Sequence, residues 1–260
     1  MKVELNENKL KNLMAQLKSS SEFAFLRDLS GLTSQSVEVL QKFAPADKDI
    51  IVGIEGNAYN NGSFYDGYCG PYKYRPYYGE RNLTILNLNE LKETLQIMED
   101  IEQKIDDSWT DKERAVFLWG YLTLNWRHAT SNDRDAHFYK NKYGTSVNFA
   151  KALNELLWRQ NIQSYIFSTS KHSFNMVKLD DKFYPVDVDL TVRNKLENFF
   201  GKKGYFSLPG IISINKYIEA DDEEMCQAYF ENDEIVEILD KVLPVHNKKR
   251  EAINGIENEM

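Results

Sequence analysis

Residues 143–189, YGTSVNFAKALNELLWRQNIQSYIFSTSKHSFNMVKLDDKFYPVDVD, predict one helix followed by three strands. Apolar side chains recur every three or four residues over 146–159, which is the pattern of a helix with one buried face. β-rich runs follow at 164–169, 173–179 and 182–188. The segment therefore predicts a mixed α+β fold.

The last two predicted strands form a hairpin, because the aspartates at 180–181 fit a two-residue turn. Side chains of paired strands alternate between the two faces of a sheet with a period of two. In this register His172 lies opposite Asp189 and diagonal to Asp187. We expect the imidazole to reach either carboxylate, so both aspartates are candidates for orienting it.

Ser146 stands at the predicted start of the helix, after the residues Tyr143-Gly144-Thr145. The positive end of a helix dipole stabilises a developing anion, and the first backbone N–H groups can hold an oxyanion. A nucleophile at this position needs a base and a group that orients the base, for which His172 and the two aspartates are the candidates. The alternatives are that Ser146 caps the helix, a role it could share with Thr145, and that His172 is structural.

Five segments of the chain carry a family resemblance: WTDKERA (109–115), LW to NWRH (118–128), YGTSVNFA (143–150), HSFN (172–175) and FYPVD (183–187). Together they are similar to the transglutaminase-like superfamily, a branch of the papain-type fold. The resemblance implies a papain-like core, in which a central helix packs on an antiparallel sheet.

The resemblance also implies a chemistry. In the family, the helix-opening motif carries a cysteine nucleophile, a strand carries the histidine base, and the next strand carries an aspartate that orients the base. Carried over, Ser146 occupies the nucleophile position, His172 is the base and Asp187 is its partner. The implied reaction is acyl transfer at an amide bond, as in a protease, an amidase, a deamidase or a transglutaminase. No cofactor is implied; calcium is an option of the family, and the sequence shows no ligand set for it.

Ser146 departs from the cysteine of the family, and three explanations stay open. The serine is a deliberate replacement of a cysteine, or a sign of a natural pseudoenzyme that binds a peptide or glycan in the same groove, or a genuine Ser–His–Asp nucleophile. A serine hydroxyl is harder to ionise than a thiol, and a site built for a thiolate activates it poorly. We expect an acyl-transfer enzyme that is inactive or impaired as it stands, with a non-catalytic binding protein as the alternative.

Residues 57–80 hold eight aromatic side chains and four glycines and show no helical or strand period. A packed loop is one interpretation of this composition. A platform for a ligand is the other, because tyrosine combines an apolar body with a polar tip. On the second interpretation, Tyr72, Tyr74 and Asp189 contact the substrate, which we expect to be a peptide or protein, with a glycan as the alternative. The sequence leaves the oligomeric state open.

The chain divides into three predicted regions. Residues 1–90 form a helix-rich N-terminal extension with the Tyr/Gly-rich segment at its end, residues 91–215 form the transglutaminase-like core, and residues 216–260 form an acidic helical tail. Within the first region, helices are expected over 1–45 and a strand over 50–54.

Two further features are predicted inside the core region. A helix begins at Thr110, with Glu113 three residues later as the partner in a capping box. Residues 127–143 are polar and are expected to form a loop. This loop imitates a metal site, because it contains Asp133, Asp135 and His137, with His128 nearby. We expect a solvated loop without a metal.

Composition excludes several classes of partner. The net charge is −8 and no basic run stands clear of acidic neighbours, so we expect no nucleic-acid partner. No apolar run approaches the roughly 20 residues of a membrane span, and no signal peptide is visible. Cys69 and Cys226 are far apart and do not form a disulfide framework. We expect a cytoplasmic protein with free thiols, and Cys69 lacks the flanking motif of a nucleophile.

Overall fold

The structure is a computed structural model, and it describes residues 6–19, 24–26, 28–44, 49–52, 84–129, 135–168, 172–189, 192 and 232–243. It confirms the mixed α+β class. The predicted ligand platform 57–80, with Tyr72 and Tyr74, lies outside the described residues, as do Cys69 and Cys226. None of the helices in the described part of the chain has the length and hydrophobicity that crossing a bilayer requires.

Helices and strands alternate along the described chain. The helices are α1 (Glu7–Lys18), α2 (Ser34–Leu40), α3 (Leu88–Glu102), α4 (Asp111–Asn125), α5 (Asp135–Asn141), α6 (Ser146–Arg159) and α7 (Asn232–Val242). The strands are β1 (Ala24–Leu26), β2 (Asp49–Val52), β3 (Thr84–Asn87), β4 (Arg127–His128), β5 (Tyr143–Gly144), β6 (Ser164–Ser168), β7 (Ser173–Leu179) and β8 (Lys182–Val186). Within the described residues they pair as β1-β2-β3, β4-β5 and β6-β7-β8.

Helix α6 lies at the centre of the fold and packs on the antiparallel sheet β6-β7-β8. It buries Phe149, Leu153 and Leu156 in the main hydrophobic core. Nδ2 of Asn175 on β7 donates to the carbonyl of Ala150 on α6 (2.9 Å). The start of β7 therefore lies beside the first turns of α6, and the predicted helix on an antiparallel sheet is present.

The β7–β8 hairpin has the predicted turn and register. The aspartates at 180–181 both have positive φ (48° and 60°), as a two-residue type I′ turn requires. Leu179 faces Lys182, as predicted, and the ladder runs back to the pair Asn175 and Val186. The prediction that β8 continues to residue 188 is wrong, because the chain leaves the ladder after Val186.

The N-terminal region contains a strand where a helix was predicted. The predicted helices α1 and α2 are present, but Ala24–Leu26 between them pairs parallel to β2, and β2 pairs antiparallel to β3. On its other edge, the backbone of Phe25 is bound by the side chain of Gln16, which donates to its carbonyl (2.9 Å) and accepts from its N–H (2.6 Å). Three residues are too few to show a period, and their partner strand is distant in sequence.

The prediction of a loop over 127–143 is also wrong. The segment contains α5 and the parallel pair β4-β5, in which Arg127 faces Tyr143 and His128 faces Gly144. Phe138 on α5 is buried, and its ring lies 5.1 Å from that of Phe149 on α6. The described residues of this segment are held by contacts with other elements, which its polar composition does not reveal.

Helix α4 begins at the predicted capping box and carries α7 on its outer side. The N–H of Glu113 donates to Oγ1 of Thr110 (3.2 Å), and the N–H of Thr110 donates to Oε2 of Glu113 (2.9 Å). α7 packs close to Gly120, where an added Cβ would lie 2.8 Å from Cδ1 of Leu243. The predicted helical tail is confirmed over 232–242; its remainder lies outside the described residues.

The far end of α6 is joined to the N-terminal region. Arg159 donates through Nη1 to the carbonyls of Leu29 (2.9 Å) and Leu32 (2.7 Å), and through Nη2 to Glu102 (2.9 Å). Glu155 accepts from the N–H of Leu29 (3.1 Å). Buried apolar side chains from all three predicted regions belong to one cluster, and the division into three regions stays a prediction.

Candidate active site

Ser146 is the first residue of α6 and lies at its buried N-terminus. Thr145 is the N-cap, and its N–H and hydroxyl both donate to Oδ1 of Asn148 (3.0 and 3.2 Å). Ser146 itself is 6% exposed. The capping position therefore belongs to Thr145, and Ser146 stands in the first turn, where the positive end of the helix dipole acts.

Gly144 leads into this helix at a place that has no room for a side chain. An added Cβ would lie 2.5 Å from Cδ2 of Phe138 and 2.8 Å from Oδ1 of Asn148. The backbone of Gly144 pairs with His128 across β4-β5, and its carbonyl accepts from the N–H of Ala129 (2.8 Å). The start of α6 is thus held directly beside β4.

His172 and Asp187 form a buried, hydrogen-bonded pair. Nε2 of the imidazole bonds Oδ2 of Asp187, and the two residues are 4% and 1% exposed. The ring of His172 also stacks on Phe174, with planes 19° apart. A carboxylate bound to one ring nitrogen fixes the tautomer and the orientation of an imidazole. The predicted contact between His172 and Asp187 is therefore present.

Asp189 lies on the other side of the imidazole and belongs to a second pair. Its Oδ2 is 4.0 Å from Nδ1 of His172, which confirms that both carboxylates are within reach of this ring. Its Oδ1 is 2.7 Å from Nδ1 of His128, a hydrogen bond that the imidazole donates. The side chain of Asp189 is fully buried, whereas the side chain of His128 is 25% exposed.

Sequence reasoning missed the role of His128, which it placed in a solvated loop. That prediction is wrong for His128, because the residue lies on β4 and binds Asp189, 61 positions away in the chain. Only its place two residues after a buried tryptophan, Trp126, indicated a fixed position. No local pattern connects residues this far apart.

Ser146 and His172 are brought to the same end of α6 by two independent connections. One runs along the helix face, through the hydrogen bond from Asn175 to Ala150. The other runs from the residues before Ser146 through His128 and Asp189 to His172. The three residues predicted as a nucleophile position, a base and an orienting group thus share one region of the fold.

No group of three or more metal-ligating side chains is found among the described residues. Asp133 lies outside them, and the side chains of Asp135 and His137 are not described. The arrangement at the start of α6 instead offers a hydroxyl at a helix N-terminus and a buried imidazole fixed by a carboxylate. These are the parts that nucleophilic attack on a carbonyl requires.

Compared with known proteins, the chain matches no family model. A search of curated proteins likewise finds no match. The chemistry assigned below therefore rests on the site itself and on the motifs quoted from the sequence.

Proposed function

We propose that the chain is a transglutaminase-like acyl-transfer enzyme with a papain-like core, in which Ser146 occupies the position of the nucleophile. The observation that carries the proposal is the buried His172–Asp187 pair at the start of β7, the strand that bonds the first turns of α6 through Asn175 and Ala150. A buried imidazole that is hydrogen-bonded to a carboxylate is the arrangement that activates a neighbouring hydroxyl or thiol.

In the proposed mechanism, the side chain at 146 attacks the carbonyl carbon of an amide, and His172 accepts its proton. Asp187 orients the imidazole and stabilises the imidazolium that forms. Backbone N–H groups in the first turn of α6 receive the negative charge that develops on the carbonyl oxygen. His172 then gives the proton to the leaving amine, and water or a second amine releases the acyl group. No step requires a cofactor.

A non-catalytic binding protein is the second candidate, and the identity of residue 146 favours it. A serine hydroxyl is a poor substitute for a thiol in a site built around a thiolate and an imidazolium. In this case the same groove binds a peptide or a glycan without turnover. Three expectations stay predictions from the sequence. They are a peptide or protein ligand, a cytoplasmic location, and contacts with the ligand from Tyr72, Tyr74 and Asp189.

The test is to install a thiol and measure its activation. Ser146→Cys is reacted with iodoacetamide at pH 6, alone and combined with His172→Ala. Ser34→Cys is the matched control, because Ser34 is also the first residue of a helix that follows a threonine N-cap, but its hydroxyl donates to the carboxylate of Glu99. An activated thiolate should be labelled about 100-fold faster than a thiol with an ordinary pKa of about 8.5.

Fast labelling at 146 that is lost with His172→Ala supports the enzyme. Labelling at the rate of Ser34→Cys, whether or not His172 is present, contradicts it and favours the binding protein. Binding of a peptide library to the unaltered chain, without a covalent adduct, then distinguishes a pseudoenzyme from a protein with no ligand in the groove.

A further inference from the structure

The site contains a second imidazole–carboxylate pair that the proposed mechanism does not use. His128 binds Asp189, and Asp189 faces the ring nitrogen of His172 that is turned away from Asp187. We infer that His128 is a positioning residue, which holds Asp189 against His172 and fixes the imidazole relative to the start of α6. This inference rests on the proposed function in its assignment of His172 as the base.

The two ring nitrogens of His172 face different carboxylates. Nε2 of His172 is bound to Asp187, so a proton from the side chain at 146 is exchanged through Nδ1 in the proposed mechanism. Nδ1 is the atom that lies 4.0 Å from Oδ2 of Asp189. This distance exceeds that of a hydrogen bond, but it keeps the carboxylate next to the ring nitrogen that faces away from Asp187.

Burying the carboxylate of Asp189 costs free energy. A carboxylate without exposed side-chain surface is stable only when it is paired and hydrogen-bonded. His128 supplies the hydrogen bond at 2.7 Å, and its partial exposure keeps the second imidazole in contact with solvent. The pair therefore places a carboxylate of fixed orientation beside His172, which an isolated aspartate could not maintain.

His128 contacts the residues before Ser146 through its backbone and Asp189 through its side chain. β4 pairs His128 with Gly144, two residues before Ser146, while the side chain of His128 reaches Asp189 on the base side. One residue thus joins the nucleophile side of the site to its base side. Because reaction rates depend steeply on the geometry of the reacting groups, loosening this connection should slow the reaction without removing any reacting group.

The test uses the thiol introduced by Ser146→Cys in the full chain. His128→Ala removes the hydrogen bond to Asp189. His128→Asn keeps a side-chain donor near the position of Nδ1 but cannot carry a charge. Arg127→Ala is the matched control, because Arg127 is the exposed neighbour on the same short strand. We expect His128→Ala to slow labelling about tenfold, the lower limit for partners that orient a functional imidazole. His128→Asn should restore most of the rate, and Arg127→Ala should leave it unchanged.

A second readout does not depend on the reaction. The chain has four histidines, so selective ¹⁵N labelling of histidine gives few imidazole resonances to assign. The ring resonances of His172 should shift in His128→Ala and return in His128→Asn. Unchanged His172 resonances in His128→Ala overturn the inference, as does a failure of His128→Asn to restore them.

The two readouts separate the inference from the proposed function. If the thiol at 146 is labelled independently of His172, the proposed function fails, and the His172 resonances still decide whether His128 positions the ring. If labelling depends on His172 and His128→Ala changes neither labelling nor resonances, the function stands and the inference fails.

Discussion

Two helices in the described part of the chain, α2 and α6, begin with the dipeptide Thr-Ser, and the two sites differ in what surrounds the serine. At the start of α2, Thr33 is the N-cap, and both the N–H and the hydroxyl of Ser34 donate to the carboxylate of Glu99 (2.7 Å each). A carboxylate at a helix N-terminus is stabilised by the dipole and satisfies backbone donors. This serine has a structural role.

At the start of α6, Thr145 is again the N-cap, and Asn148 completes the cap from within the helix, as Ser36 does in α2. The strand that follows His172 bonds the first turns of α6 through Asn175, and Asp189 bonds His128 on the strand that pairs with Gly144. A carboxylate that accepts a hydrogen bond from a hydroxyl disfavours the loss of the hydroxyl proton. A neighbouring imidazole can instead accept that proton. The comparison teaches that the same dipeptide is a cap or a candidate nucleophile according to its tertiary neighbours.

The contact that ties the two helices together gives the largest expected effect. Arg159 at the end of α6 binds the carbonyls of Leu29 and Leu32, just before the N-cap of α2, and pairs with Glu102. Arg159→Ala leaves these partners without their donor in a buried place. We expect a loss of about 3 kcal/mol in the free energy of unfolding, measured by urea denaturation. A loss below about 0.5 kcal/mol, the size of a surface substitution, would contradict this account.

The second prediction concerns the carboxylate that distinguishes the α6 site. Asp187→Asn in the Ser146→Cys background should slow labelling by iodoacetamide about 100-fold, because the amide cannot stabilise the imidazolium of His172. Asp100→Asn, on the exposed side of α3, is the control and should have no effect. Equal rates in the two variants would show that Asp187 does not activate the site.

The third prediction uses the pH dependence of stability. Burial, together with the negative charge of Asp28, raises the pKa of Glu155 from its usual 4.5 to about 8. The hydrogen bond from the N–H of Leu29 lowers this pKa but does not cancel the rise. Between these values the folded chain keeps a proton that the unfolded chain releases, so stability falls as the pH rises. The slope from one such group is at most about 1.4 kcal/mol per pH unit.

The measurement is chemical denaturation at pH 5, 6, 7 and 8. Glu155→Gln keeps an acceptor for Leu29 and removes the titration, so it should lose less stability than the unaltered chain over this range. Parallel curves for the two proteins would mean that Glu155 does not titrate between these values.

The smallest expected effect concerns the first turn of α2. Glu99→Gln weakens the two hydrogen bonds to Ser34 and removes the charge at the helix N-terminus. We expect a loss of about 1 kcal/mol in the free energy of unfolding, with labelling at Ser146→Cys unchanged. A change in labelling would show that the two helix starts are coupled rather than independent.

The sequence predicted the features that local pattern controls. The helix α6, the capping box of Thr110 and Glu113 and the turn at 180–181 depend on residues a few positions apart, and the structure confirms them. The hairpin register predicts that His172 lies within reach of Asp187, and the structure confirms this contact.

The features that the sequence did not predict depend on distant residues. β1 is a strand because it pairs with β2, and the described residues of 127–143 form α5, which packs on α3 and β3, and the pair β4-β5. The contact between His128 and Asp189 spans 61 residues and has no local signature. Periodicity and capping motifs carry no information about such pairs.

The turn at 180–181 also constrains how the length of the chain can vary. Successive side chains of a strand point to opposite faces, so one residue added within β8 would turn Asp187 to the face away from His172. Two residues added there would restore the face but displace Asp187 by about 7 Å along the strand. Extra residues are therefore compatible with the site at the turn itself, where the ladder that begins at Leu179 and Lys182 stays as it is.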